Sequence, residues 1–220
     1  MNLANLSDIN WVYVAIVLAV VFASMVLHEL MHGVIAYWLG DSTAKNDGRL
    51  TLNPIAHIDP FMTIILPFLL AIFGMPIFGG AKPVPFRPDK VKGGDWGAAL
   101  VGIAGPLTNL LIAFICFAII VFAKISGANL LSQILVVGVI VNLGFFAFNI
   151  LPIPPLDGSR VLYAIAPDWF RKGMDAIERA GLVVIFFIVM IASPILSTIL
   201  GNIVQFILQI FAHIFGVSTI

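Results

Sequence analysis

Long apolar stretches constrain this chain more than any other feature of its sequence. A helix needs about 20 apolar residues to cross the roughly 30 Å of hydrocarbon in a bilayer. Stretches of this kind run over residues 11–39, 98–123, 132–151, 181–196 and 198–216. The last two are short, so we expect them to form a C-terminal helical hairpin that turns near Leu196-Ser197. The pattern predicts an all-α, polytopic membrane bundle of about five to six transmembrane segments.

Composition supports the same class. Hydrophobic residues make up 61% of the 220 residues and charged residues only 10%, whereas a soluble domain carries about 25% charged residues. The net charge is zero, so nothing predicts a nucleic-acid partner. Cys116 is the single cysteine, which excludes an intramolecular disulfide. We therefore expect one integral-membrane domain over residues 1–220.

The basic residues predict an orientation. Lys and Arg concentrate in the loops 40–60, 79–97 and 152–180, while residues 1–10 contain none. Cytoplasmic loops carry the excess of Lys and Arg, so we expect these three loops on the cytoplasmic side and the N-terminus outside.

The segment 61–78 is apolar, but it lies between two of these basic loops and is interrupted by Pro67, Gly74 and Pro76. A single crossing would place one basic loop outside. A re-entrant hairpin bent near Pro67 or Gly74 is therefore favoured, and the simple crossing stays open.

The strongest chemical signal is the H-E-x-x-H sequence formed by His28, Glu29 and His32. Two histidines at i and i+4 lie on one helix face, so both imidazoles can reach one metal ion. Glu29 projects nearby and can take a proton from the attacking water. Because ionisable residues inside a membrane helix are costly, they indicate function. His28 lies 17 residues after Trp11, roughly 25 Å along a helix, which places the site near the cytoplasmic side.

A catalytic zinc site usually has three protein ligands. Residues 33–58 offer Asp41 and Asp47 in a polar loop, but Asp157 is the better candidate. Three prolines precede it and must end the helix near Leu151, which predicts that Asp157 lies on extended backbone at the membrane edge. The alternative is an aspartate that caps the turn before the next helix.

The pairing of H-E-x-x-H with a later N-x-x-P-x-x-x-L-D-G resembles the site-2 protease family of intramembrane zinc metalloproteases, peptidase family M50. The second motif is carried by Asn149, Pro152, Leu156, Asp157 and Gly158. Segments 79–85 and 104–109 also resemble the short bacterial and archaeal members, which lack PDZ and CBS domains. The resemblance covers about residues 10–165, the expected catalytic core.

The resemblance implies one Zn²⁺ per chain, bound by His28, His32 and Asp157, with Glu29 as the general base. It implies a zinc-dependent endopeptidase that cleaves within or near a transmembrane segment of another membrane protein. Expected substrates include anti-sigma factors and signal-peptide remnants, and the expected location is the inner membrane. Asn149 is the candidate for stabilising the oxyanion, with an interhelical hydrogen bond as its alternative role.

Other polar residues have structural interpretations. Asn109 and Asn142 are predicted to form interhelical hydrogen bonds. His57 could be a further ligand, but an interfacial histidine satisfied by loop backbone is favoured. Gly102 and Gly105 predict a close approach of helices. Residues 79–87 contain prolines at 83 and 85 and could receive an unwound substrate by strand addition.

Two rival functions remain at this stage. A membrane metal-binding or transport protein could use the same histidines and aspartate, although the chain shows no internal repeat of the kind transporters often have. A catalytically silent relative could keep the fold alone. Glu29 discriminates best, because metal binding does not need that carboxylate and hydrolysis does.

Overall fold

The computed structural model describes residues 10–72, 80–127, 129–180 and 182–217. Helices form nearly all of its regular structure, and the described residues contain no β-strand, which confirms the all-α class. In chain order the α-helices are α1 (Trp11–Trp38), α2 (Thr43–Asn46), α3 (Leu66–Ile72), α4 (Gly94–Phe122), α5 (Leu130–Asn149), α6 (Ser159–Ile165), α7 (Asp168–Ala180) and α8 (Leu182–Phe215).

Four helical stretches in the described part of the chain are long and apolar enough to cross a membrane. They are α1, α4, α5 and the Pro194–Phe215 part of α8. A helix satisfies its own backbone hydrogen bonds, which an apolar segment in lipid requires. The chain is therefore a multi-pass membrane protein, with the first three spans close to their predicted positions.

The predicted C-terminal hairpin is wrong. Helix α8 runs without a break through Leu196 and Ser197, where the turn was expected, and it contains Pro194 in its interior. The hydroxyls of Ser197 and Thr198 both donate to the Pro194 carbonyl oxygen, each at 2.9 Å. A break here would expose backbone polar groups to hydrocarbon, so an apolar helix tolerates a proline that would end a helix in water.

The segment that follows Pro60 starts as a π-helix (Pro60–Ile65) and continues as α3. Residues 73–79, which include the predicted bend at Gly74, lie outside the described residues. The Gly80 N–H donates to the Met62 carbonyl oxygen at 3.2 Å, and the Thr63 hydroxyl donates to the Gly80 carbonyl oxygen at 2.7 Å. The two ends of the segment therefore lie side by side, which favours re-entry over a single crossing.

Helix α4 is central, because it packs against α1, α5 and α6. Small residues allow this close packing: a Cβ added at Gly138 in α5 would lie 2.9 Å from the Cys116 sulfur in α4. Helix α8 covers the α4–α5 pair with Ile207 and Phe211, which join a buried cluster with Leu143. The bundle thus presents rigid, buried helix faces on which polar side chains can be held.

Ion pairs link the short helices to one end of the bundle. Arg171 of α7 donates to Asp95 in the first turn of α4 at 2.8 Å, and Arg160 of α6 pairs with Glu178 of α7. The α1–α2 and α3–α4 connections meet at this end, since the Lys92 N–H donates to the Leu39 carbonyl oxygen at 2.8 Å. The α5–α6 connection lies near the same end of α4, where Asp157 faces Gly102. The loops rich in Lys and Arg therefore share one end of the bundle.

Candidate metal centre and active site

The two histidines of the H-E-x-x-H sequence project from the same face of α1, as their spacing predicts. Their Nε2 atoms lie 3.1 Å apart. His28 is 7% exposed and His32 is 8% exposed, so both rings are buried inside the bundle near the end of α1 that meets the basic loops. Burial of two imidazoles in an apolar bundle is costly unless each nitrogen has a partner.

Asp157 joins the histidines from the connection between α5 and α6. Its Oδ2 lies 3.0 Å from the Nε2 of His28 and 3.5 Å from the Nε2 of His32. The expected extended backbone is wrong, because residues 154–158 form turns and the Gly158 N–H donates back to the Asn149 carbonyl oxygen at 2.7 Å. Because of these turns, Asp157 faces α1. Its side chain does not cap α6.

The hydrogen bonds that the Nδ1 atoms of His28 and His32 make determine whether their Nε2 atoms carry a proton or a lone pair. The Nδ1–H of His32 donates to the Val101 carbonyl oxygen at 2.7 Å, and the Nδ1–H of His28 donates to the side-chain oxygen of Asn109 at 2.6 Å. A neutral imidazole that donates from Nδ1 carries a lone pair on Nε2. Two lone pairs and a carboxylate oxygen therefore converge on one point, and such an arrangement calls for a cation.

The spacing of these donors is close to that around a tetrahedral metal. Ligand atoms at about 2.0–2.2 Å from one zinc ion lie about 3.3–3.6 Å from one another. One separation here, 3.5 Å, lies in that range, and the other two, 3.0 and 3.1 Å, are slightly shorter. A carboxyl group binds a metal in its ionised form, so Asp157 would supply the one negative charge of this donor set.

Gly105 of α4 leaves the space that a metal needs. A Cβ added at this position would lie 2.6 Å from the Nε2 of His28 and would also contact the Nε2 of His32. Gly102, one turn earlier, faces the Asp157 carbonyl oxygen and the Arg160 side chain in the same way. The predicted close approach of helices is confirmed, since Gly105 faces α1 and Gly102 faces Arg160 of α6; Gly102 also contacts the loop that carries Asp157, which was not expected. The donor set and this open space fit zinc.

Glu29 lies beside the site and is held by backbone. Its Oε2 accepts a hydrogen bond from the Val84 N–H at 2.8 Å. Residues 80–87 have no helical structure, and they are fixed by further bonds: the Lys82 N–H donates to the His57 carbonyl oxygen at 2.9 Å, and the Arg87 N–H donates to Asp41 at 2.5 Å. This segment therefore contacts the carboxylate that the sequence assigns as the base.

Comparison with known proteins decides the family. The sequence model of "Peptidase family M50" matches residues 123–193. A Bacillus subtilis protein named "Putative zinc metalloprotease YwhC" is 39% identical over 214 residues, which cover 92% of each chain. The chain belongs to peptidase family M50. "Putative zinc metalloprotease MJ0611" of Methanocaldococcus jannaschii is 32% identical over 160 residues, 73% of this chain and 75% of that protein. No solved structure matches the chain.

Family membership confirms that this M50 peptidase is a metalloprotease and that its cofactor is zinc. Among the described residues, the group with the geometry of a metal site is His28, His32 and Asp157. These are the three candidate ligands that the sequence predicts, and the structure brings them together although His28 and Asp157 are 129 positions apart in the chain.

The other polar predictions have different outcomes. The interhelical role of Asn109 and Asn142 is confirmed, since the Asn109 amide donates to the Asn142 side-chain oxygen at 2.8 Å. The interpretation of His57 is confirmed for one ring nitrogen: Nε2 donates to the Thr51 carbonyl oxygen at 2.9 Å, whereas the buried Nδ1 has no hydrogen-bond partner among the described residues. The Asn149 amide donates to the Phe145 carbonyl oxygen of its own helix at 3.0 Å, so its oxyanion role stays a prediction.

Sequence reasoning did not find two parts of the site. One is the space opposite Gly105, where the glycine was interpreted only as a packing residue. The other is the bond from the Val84 N–H to Glu29, which a backbone atom makes and no side-chain motif can reveal. The segments 79–85 and 104–109, which resemble those of other family members, contained both residues and were the available signal.

Proposed function

We propose that this M50 peptidase hydrolyses a peptide bond within or near a transmembrane segment of another membrane protein. His28, His32 and Asp157 hold the zinc ion. The observation that carries the proposal is the convergence of two imidazole lone pairs and one carboxylate oxygen beside Gly105, within a bundle of membrane-spanning helices.

Glu29 is the general base in this proposal. It follows His28 directly in α1 and is half-buried, and its carboxylate accepts from the Val84 N–H and is not part of the His28, His32 and Asp157 group. It accepts a proton from the attacking water and later delivers it to the leaving amine. When bound, zinc supplies Lewis-acid activation of the water and of the peptide carbonyl.

In this proposal Asn149 stabilises the negative charge that develops on the carbonyl oxygen of the substrate's peptide bond. Its amide has two N–H groups, of which one donates to the Phe145 carbonyl oxygen. The backbone carbonyl oxygen of Asn149 accepts from the N–H of Gly158, the residue after Asp157. The second N–H is therefore carried at the end of α5 that adjoins the ligand loop, where a preorganised donor lowers the barrier.

The basic loops support an active site near the cytoplasmic side of the inner membrane. They share the end of the bundle that contains the site, and the excess of Lys and Arg marks cytoplasmic loops. His28 lies about 25 Å along α1 from Trp11, and this distance supports a site inside the membrane but close to this face.

A transmembrane substrate must unwind before its amides become accessible. Residues 80–87 are non-helical and contact Glu29 through Val84, so an unwound substrate that pairs with them would present its backbone to the site. The substrate class is therefore a membrane protein with a helix that unwinds readily, such as an anti-sigma factor or a signal-peptide remnant.

Metal content of the purified protein tests the ligand set. The native protein and Glu29→Gln should each hold about one zinc, whereas Asp157→Ala should lose most of it. Asp47→Ala is the matched control, because Asp47 is an exposed loop carboxylate. Full zinc content in Asp157→Ala would exclude Asp157 as a ligand.

Cleavage of a membrane-anchored reporter in proteoliposomes tests the activity. Native protein should cut the reporter, and Glu29→Gln should not, although it retains zinc. Zinc transport that persists in Glu29→Gln without any cleavage by the native protein would instead support the transporter alternative.

A further inference from the structure

We infer that Asn109, Asn142 and Ser24 form a hydrogen-bond relay that holds His28 in the ring orientation and tautomer that bind zinc. Asn109 is thus a positioning residue for the metal centre. The inference rests on the proposed role of His28 as a ligand and extends it to three residues that do not touch the metal.

The relay is continuous and buried. The Nδ1–H of His28 donates to the side-chain oxygen of Asn109 at 2.6 Å, and the Asn109 amide donates to the side-chain oxygen of Asn142 at 2.8 Å. The Asn142 amide donates to the Ser24 hydroxyl at 2.9 Å and to the Gly138 carbonyl oxygen at 2.8 Å. Asn109 and Asn142 are both 0% exposed, and Ser24 is 3% exposed.

Backbone carbonyl oxygens set the direction of the bonds in this relay, since that of Gly138 accepts from the Asn142 amide and that of Ser24 accepts from the Asn109 amide. The Gly138 carbonyl oxygen can only accept, so the Asn142 side chain must turn its nitrogen toward Gly138 and its oxygen toward Asn109. Asn109 must then donate to Asn142 and offer its own oxygen to His28. His28 therefore carries its proton on Nδ1, and its Nε2 lone pair faces Asp157 and His32.

The Nδ1–H groups of the two histidines donate to different kinds of acceptor. His32 donates to the backbone carbonyl oxygen of Val101, which no substitution removes. His28 depends on a side chain, so its support can be tested. Partners of this kind fix the tautomer of a metal-bound histidine, and their loss costs about 10–100-fold in metal affinity.

The experiment measures the zinc dissociation constant of the full chain in detergent by competition with a chelator. Asn109→Leu should raise the constant about 10–100-fold. Asn109→Asp keeps an oxygen that accepts from His28 and should bind zinc more tightly than Asn109→Leu. Thr108→Val is the matched control, because the Thr108 hydroxyl donates within α4 to the Ala104 carbonyl oxygen; its constant should equal the native value.

Thermal unfolding of the zinc-free protein separates positioning from packing. If Asn109 only holds helices together, Asn109→Leu lowers the unfolding temperature while the zinc constant stays native, and the inference is overturned. If Asn109→Leu does not fold, Asn142→Leu removes the side-chain oxygen that accepts from the Asn109 amide and should still raise the constant by a smaller factor. A native constant in Asn142→Leu would then overturn the inference.

Zinc binding by a further variant separates this inference from the proposed ligand set on which it rests. His28→Ala should lose zinc if the ligand set is right. Retention of zinc in His28→Ala would refute the ligand set and the relay together, whereas loss of zinc in His28→Ala with native affinity in Asn109→Leu would refute the relay alone.

Discussion

A single methyl group added at Gly105 should abolish zinc binding. The new Cβ would lie 2.6 Å from the Nε2 and 2.7 Å from the Cε1 of His28, and it would also contact the Nε2 of His32. Non-bonded heavy atoms prefer about 3.5–4.0 Å, so the rings would have to retreat by about 1 Å. Zinc needs both nitrogens at about 2.0–2.1 Å, and the methyl group would take up the space where it binds.

We therefore expect Gly105→Ala to weaken zinc binding at least about 100-fold, or about 2.8 kcal/mol. The assay is chelator competition, with thermal unfolding of the zinc-free protein to show that the variant is folded. Overpacking should also cost about 1–3 kcal/mol of stability.

Gly144→Ala is the control for helix propensity. Gly144 lies inside α5 with no heavy atom within 4 Å of an added Cβ, so this variant should bind zinc normally. A folded Gly105→Ala protein with native zinc affinity would refute the position assigned to the metal.

Three further predictions concern groups around the site. Asn149→Ala should lower kcat about 10²–10³-fold with zinc content unchanged; native turnover would exclude Asn149 from oxyanion stabilisation. Val84→Pro removes the N–H that bonds Glu29 and should reduce cleavage at least about tenfold with zinc retained, whereas Val84→Ala keeps the N–H; equal cleavage by both variants would contradict a role for the bond. Asp41 is buried, which raises its pKa, but bonds from Thr43 and the Arg87 N–H lower it below the ordinary value. Its stabilisation is therefore present above its unfolded-state pKa of about 3.9 and is lost as the pH falls through the lower folded-state pKa. Asp41→Asn should cost about 1–2 kcal/mol at pH 7, and the gap in unfolding temperature from native protein should narrow below about pH 4; a gap independent of pH would refute this.

Local features of the site could be predicted because their spacing alone determines their geometry. His28 and His32 are four residues apart on a helix, and this register suffices to bring the rings together. Asp157 could be predicted because its motif pairs with H-E-x-x-H, although the backbone that carries it could not: turns, and not an extended strand, bring it to α1.

Long-range contacts could not be predicted from the sequence. The bond from Asn109 to His28 joins positions 81 residues apart, and the bond from Val84 to Glu29 joins positions 55 residues apart. Both depend on how α4 and the 80–87 segment pack on α1. The unbroken α8 was missed for a related reason, because Pro194 is a local signal for a break and the apolar surroundings oppose one.

Exposure differs between the two sides of the candidate metal centre, and this difference bears on the proposed hydrolysis within a membrane. The relay residues beyond His28 are fully buried, and the histidine rings are nearly so. The Asp157 side chain is 25% exposed, and Glu29 is also half-buried. Under the proposed function, water and an unwound substrate would reach the site from the side of Glu29 and Asp157, where the basic loops lie. The buried side would hold the proposed ligands in a dry environment, where electrostatic interactions are stronger than in water. The proposed hydrolysis needs both properties, and α1 offers both because His28 and His32 lie toward one end of a helix that is otherwise apolar.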